Sequence, residues 1–157
     1  MPLPSGFYIV QIFLLHFYIA SECAGQIRLP LRFISITSSF GERIHPLSGV
    51  VKFHYGVDLR AQTEPVFAIL DGVVISTGWN ASIGNFIRLK HQDLESIYGH
   101  LALVWLKSGD RVTSGDFIAV SGNTGNTTGP HLHFALKLNG RDIDPERFFA
   151  LALSRPN

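Results

Sequence analysis

The chain has 157 residues, a formal net charge of +1 and one cysteine, Cys23. That length suits a single domain whose core needs neither disulfides nor a structural metal. The near-zero charge excludes a strong field for nucleic acid or anionic lipid, and one cysteine excludes an internal disulfide.

Phe7 to Ala20 is almost wholly apolar and runs into Ser21-Glu22-Cys23-Ala24-Gly25. Its length suits the apolar core of a secretory signal and is short for a membrane span. Residues 1–24 are expected to be a signal peptide, with an uncleaved anchor or a buried N-terminal strand as alternatives. No Lys or Arg precedes Arg28, and Glu22 is unusual so close to a cut after Ala24. Lying directly before Cys23, Glu22 also argues against a lipoprotein site. The remaining chain, 25–157, is read as one domain, exported to the periplasm, cell envelope or exterior. No stable membrane insertion is expected after signal removal, and the sequence does not set an oligomeric state.

Leu29 to Phe40 is apolar and β-branched and predicts a strand followed by a turn. Glu42 to Phe53, with Pro46 and Gly49, reads as loop. Val66–Leu70 and Val73–Ser76 flank Asp71-Gly72, which predicts a hairpin. Phe86–Lys90 and Ser96–Leu101 read as strands. Lys107-Ser108-Gly109-Asp110 and Thr113-Ser114-Gly115-Asp116 are turn boxes on either side of Val112, and Phe117–Val120 is a short strand. Gly122 to Gly129 is a loop leading into the strand that contains His131. Asn139-Gly140 predicts a second hairpin, and Asp144-Pro145 the cap and first residue of a short helix. Glycine is spread through the body and no long amphipathic helix appears. The fold class is therefore mainly β, antiparallel, as a sheet or sandwich.

Two groups of residues carry the chemistry. In Gly129-Pro130-His131-Leu132-His133-Phe134, alternation puts both histidines on one strand face and Leu132 and Phe134 on the other. In His54-Tyr55-Gly56-Val57-Asp58, the spacing of four brings His54 and Asp58 to one side, whether extended or helical. Two imidazoles and a carboxylate make a reasonable zinc set with one position open. His54, Asp58 and one of His131 and His133 would supply it.

Several ordered runs together resemble the lysostaphin/LytM-type zinc metallopeptidases, which cut peptide cross-links of bacterial peptidoglycan. They are Ser39-Phe40-Gly41-Glu42-Arg43-Ile44-His45-Pro46, His54-Tyr55-Gly56-Val57-Asp58, Pro65-Val66-Phe67-Ala68, Asp71-Gly72-Val73-Val74, Tyr98-Gly99-His100-Leu101, and Ser121-Gly122-Asn123-Thr124-Gly125 through Gly129 to Phe134. The likeness spans about residues 38–149.

The resemblance implies a lysostaphin-like fold, one Zn²⁺ per chain held by His54, Asp58 and His133, and His131 and His100 as the catalytic pair. The expected activity is a secreted zinc endopeptidase whose activated water attacks the scissile amide. Peptidoglycan peptides are the expected substrate, either D-Ala–diaminopimelate links or glycine bridges. Two departures stand out. Ala61–Val66 lacks the family's common Gly-Thr-Pro-Val turn, and Ala135 stands where many relatives carry an acid. The first changes a turn. The second removes a carboxylate that could steady an imidazole, which bears on rate rather than on metal binding.

Other residues have plainer readings. His100 could be a core histidine bonded to backbone, and Tyr98, two before it, either lines the groove or packs. Arg43 could contact substrate or oxyanion, or form a structural pair. His45 reads as structural, and His16 and His91 as uninvolved. The alternatives to a peptidase are a non-catalytic LytM-like module that binds wall or activates another hydrolase, and a metal-binding β-barrel enzyme for small molecules.

Overall fold

The computed structural model describes residues 27–44 and 49–154. The expected signal segment, Cys23, His16 and His45 lie outside them. In chain order the strands are β1 (Ile36–Ser38), β2 (Gly41–Ile44), β3 (Val51–His54), β4 (Val57–Arg60), β5 (Pro65–Phe67), β6 (Gly72–Asn80), β7 (Gly84–His91), β8 (Leu94–Val104), β9 (Arg111–Val112), β10 (Phe117–Ser121), β11 (His131–Leu138) and β12 (Arg141–Ile143). A helix, α1 (Pro145–Leu153), follows. All strand pairs among the described residues are antiparallel.

One large sheet runs β1-β4-β11-β8-β7-β6-β9, with β12 added on β11 and β10 joining β8 to β5. A separate two-stranded sheet pairs β2 with β3. The core lies on the apolar face of the central strands. Leu132, Phe134 and Leu136 of β11 meet Tyr98 and Leu94 of β8, Val57 and Leu59 of β4, and Phe148 of α1, all essentially inaccessible. The Tyr98 and Phe134 rings pack edge to face at 5.2 Å. Buried area of this kind, removed from water, is the main favourable contribution to folding.

Local rules hold where expected. Asn139 and Gly140 both have positive φ, 50° and 76°, as a tight two-residue hairpin between β11 and β12 requires. The Asp110 and Asp116 carboxylates accept from the backbone N–H groups of Lys107 and Thr113, closing the two turn boxes. Asp144 caps α1 by accepting from the N–H groups of Glu146 and Arg147, with Pro145 in the first turn. Among the described residues no helix is long and apolar enough to cross a membrane.

Three expectations need correction. The strand over 29–40 shrinks to Ile36–Ser38. Pro30 has no N–H for a ladder, its carbonyl instead accepts from Phe67, and Phe33 is 85 % exposed. The loop at 42–53 is in fact the hairpin β2–β3, paired from Gly41↔His54 to Ile44↔Val51. Asp71-Gly72 does not join a hairpin, because β5 pairs with β10 whereas β6 pairs with β7 and β9. Gly72 serves close approach. A Cβ there would sit 2.5 Å from His91 Nδ1 and 2.6 Å from the Lys90 carbonyl oxygen.

Candidate metal and catalytic centre

Three elements bring the predicted ligands together. His54 ends β3, Asp58 lies in β4 and His133 in β11, where Asp58 and His133 are direct cross-strand partners. His54 and Asp58 converge differently from the sequence expectation. A straight strand would hold residues four apart at about 13 Å. The chain instead bends at Tyr55-Gly56, so that His54 Nε2 comes within 3.2 Å of Asp58 Oδ1. Gly56 allows this bend to lie against β11, since a Cβ on it would be 2.5 Å from the Phe134 carbonyl oxygen and 2.9 Å from His133 Cε1.

The donor atoms form a tight triangle. His133 Nδ1 is 3.0 Å from Asp58 Oδ1 and 3.1 Å from His54 Nε2. Such a cluster repels unless a shared proton or a cation sits among its atoms. Four-coordinate zinc with bonds of about 2.0–2.1 Å would set its ligand atoms about 3.3 Å apart. The spacing and the donor types fit that ion, and His54, Asp58 and His133 are the residues that could hold it.

Backbone carbonyls fix the rings. A carbonyl only accepts, so the imidazole nitrogen facing it carries the proton. His54 Nδ1–H donates to Ser39 (3.0 Å), His100 Nδ1–H to Thr124 (2.7 Å) and His131 Nδ1–H to Gly129 (2.8 Å). Each keeps its Nε2 as an electron-pair donor. His131 Nε2 lies 3.5 Å from Asp58 Oδ1, and the His131 and His100 rings meet edge to face at 4.5 Å. Apart from the Thr127 hydroxyl 3.2 Å from His131 Nδ1, the groups that hold these Nδ1 atoms are backbone, which leaves no residue-type signal in the sequence.

Charge is unevenly distributed. Burial pushes the Asp58 carboxyl up, but the contacts with His131, His133 and His54 outweigh it and hold the group well below the usual carboxylate range. Burial lowers His133, against the pull of Asp58. Burial also lowers His131, but there the hydrogen bonds with Asp58 and Gly129 prevail, and its affinity for a proton rises. His100 falls to about 4, chiefly through burial, so it is neutral at pH 7. Asp58 Oδ2 faces Arg43 Nη2 at 3.5 Å.

His100 occupies an unusual place. β8 pairs with β11 up to Gly99 and with β10 from Leu101, so the strand changes partner at His100. Opposite β7, three residues of β8 span the interval that two cover on β7, a bulge. His100 has φ +58°, and its N–H donates to Ile83 rather than to a strand ladder. The bulge breaks alternation, so Tyr98 does not share the face of His100. It is fully buried, and its Oη accepts from the Ile69 N–H. Ala135, on the same face as His133, is buried beside Gly56, in the space a larger acid would occupy. His91 is buried between the Asp71 carbonyl and Ser96 Oγ, far along β7 from the centre.

The model of Peptidase family M23 matches residues 52–145, a range that includes His54, Asp58, His100, His131 and His133. Over 122 residues the chain is 38 % identical to the peptidoglycan DD-endopeptidase ShyC of Vibrio cholerae, covering 76 % of this chain and 28 % of that protein. The crystal structure of a zinc containing peptidase from Vibrio cholerae superposes with TM-score 0.66 at 35 % identity, covering 75 % of this chain and 39 % of that one. The catalytic domain of lysostaphin from Staphylococcus simulans gives TM-score 0.66 at 34 % identity, with coverage of 74 % and 92 %. The chain spans about a quarter of the length of the curated relatives it matches. With the fold and the family model in agreement, the chain belongs to Peptidase family M23.

Proposed function

We propose that this chain is an exported zinc endopeptidase that hydrolyses peptide cross-links of peptidoglycan, with residues 1–24 as its signal and 25–157 as one catalytic domain. The observation that carries the reading is the 3.0–3.2 Å triangle of His54 Nε2, Asp58 Oδ1 and His133 Nδ1, with two further imidazoles beside it. The peptidoglycan endopeptidases among its relatives supply the substrate class.

His54, Asp58 and His133 hold the ion in this reading, one per chain. The chemistry a bound zinc supplies is Lewis acidity, which acidifies water and polarises the scissile carbonyl. His131 accepts the proton of the attacking water at Nε2, because Nδ1 is committed to Gly129. Asp58, 3.5 Å away, stabilises the imidazolium that results, and His131 then returns the proton to the leaving amine. His100 has its proton on Nδ1 toward Thr124, so its Nε2 accepts. That favours orienting the water over donating to the oxyanion.

Digestion of purified cell wall with fragment analysis, on wild type and His131→Ala, tests the reading. Wild type should release peptide-cleaved fragments. His131→Ala should retain zinc and cleave at least about 100-fold more slowly. A zinc-loaded wild type that leaves the fragment pattern unchanged refutes the endopeptidase. It would favour the alternative, a module that binds wall or activates another hydrolase.

A further inference from the structure

The β2–β3 hairpin carries two cations that this mechanism does not use. Arg43 and Lys52 are direct cross-strand partners. Opposed residues of an antiparallel pair share a face, and like charges placed so destabilise the pair. His54 is two residues beyond Lys52 and therefore on that same face, whereas Glu42 and Phe53 form the neighbouring pair on the other. The basic pair thus adjoins the metal-binding triangle, at about 7 Å along the strand.

Arg43 is only loosely paired, and Lys52 has no ion pair among the described residues. Arg43 meets Asp58 Oδ2 at 3.5 Å, longer than the roughly 2.7–2.9 Å of a charge-assisted bond. Asp58 Oδ1 is already shared among three imidazoles. One loose contact engages one of five guanidinium donors, and the side chain is 30 % exposed. Among the described residues no carboxylate pairs with Lys52. A dication in the triangle would raise the positive field at this lip further.

We propose that Arg43 and Lys52 form a carboxylate subsite beside the metal centre, selecting cross-links in which the carbon bearing the scissile nitrogen also carries a free carboxylate. A D-Ala–diaminopimelate link has that group and a glycine bridge does not. The carboxylate lies three bonds from the carbonyl carbon under attack. With that carbonyl at the triangle, the carboxylate falls within reach of a guanidinium that itself touches Asp58. The subsite rests on the endopeptidase reading and narrows its substrate class.

The test uses two peptides that differ only in a carboxylate or a carboxamide on the carbon next to the scissile nitrogen. kcat/KM for each is measured with the zinc-loaded full chain. Wild type should favour the carboxylate by about 10- to 100-fold, the range of a hydrogen bond to a charged group. In Arg43→Gln the ratio should fall toward one, with partial recovery in Arg43→Lys. Lys52→Gln should reduce it several-fold, and carries the test by itself if Arg43→Gln does not fold. A wild-type ratio near one, or a ratio unchanged in the variants, overturns the subsite and leaves the endopeptidase standing. A wild type that cuts neither peptide nor cell wall overturns both.

Discussion

Gly56→Ala is the sharpest probe of how the fold holds the centre. The added Cβ would lie 2.5 Å from the Phe134 carbonyl oxygen, 2.9 Å from His133 Cε1 and 3.0 Å from Ala135 Cβ. All three belong to β11, and ordinary contact begins about 3.4 Å out, so β4 and β11 must separate by up to about 0.9 Å locally. β11 cannot simply move away, because it is paired on its other side with β8 from His133↔Gly99 to Leu138↔Leu94. Overpacking of this kind costs about 1–3 kcal/mol, a fall in Tm of about 4–11 °C for a domain of this size. His133 Nδ1 is bonded to the displaced Cε1, and metal bonds tolerate only about 0.2 Å. Zinc affinity should therefore fall at least about tenfold. Gly78→Ala is the control, since its Cβ would meet only the Phe86 ring at 3.6 Å. Thermal unfolding of the metal-free protein and zinc titration read the two effects. Equal melting and equal zinc affinity in the two variants would refute the close-approach argument.

Two further perturbations separate ligation from folding. His54→Ala should abolish stoichiometric zinc binding and the stabilisation that excess zinc gives the wild type, about 2.7 kcal/mol when free zinc is 100 times its dissociation constant. Full zinc occupancy in that variant rules His54 out as a ligand. His91, buried and away from the centre, has its proton affinity lowered chiefly by that burial. Its folded pKa lies below the unfolded value of about 6.5, so below that pH the unfolded chain binds more protons. The contribution of neutral His91 is complete above about pH 6.5 and is lost as pH falls through the folded pKa. His91→Asn should therefore flatten the acid side of the stability profile, and parallel wild-type and variant curves in urea titrations from pH 7 to 5 count against this.

The His133–Asp58 side of the candidate cluster was legible because it rests on a period that survives folding, whereas His54 reaches it only through the bend at Tyr55-Gly56. The two-residue period places His131 and His133 on one face of β11, and the pairing of β11 with β4 sets His133 opposite Asp58. The turn boxes, the Asn139-Gly140 hairpin and the Asp144 cap follow from short-range chemistry, and they too could be read. What could not be read depends on partners distant in sequence. Asp71-Gly72 looks like a hairpin turn, yet Gly72 is small because the His91 ring lies against it. The β2–β3 hairpin is hidden by turn-forming residues such as Gly49, which falls between the strands rather than within them. The carbonyls of Ser39, Thr124 and Gly129 orient three of the four imidazoles, and backbone atoms have no residue identity to detect.

The centre sits where the regular sheet gives way. His54 arrives from the small β2–β3 sheet, whereas Asp58 and His133 belong to the large one, so the candidate ligand triangle spans two sheets joined by the bend at Tyr55-Gly56. His100 stands where β8 leaves β11 for β10, in a left-handed backbone that costs a non-glycine residue about 1 kcal/mol or more. A regular strand would have sent the side chain of residue 100 to the same face as Tyr98, into the core, and away from His131. The extra residue in β8 reverses that, leaving Tyr98 buried among Ser96, Ile69 and Phe134 while His100 meets His131 ring to ring. The irregularity is therefore what makes a paired-imidazole centre compatible with a packed sheet. One strand supplies the core on one side of the bulge and the chemistry at the bulge itself.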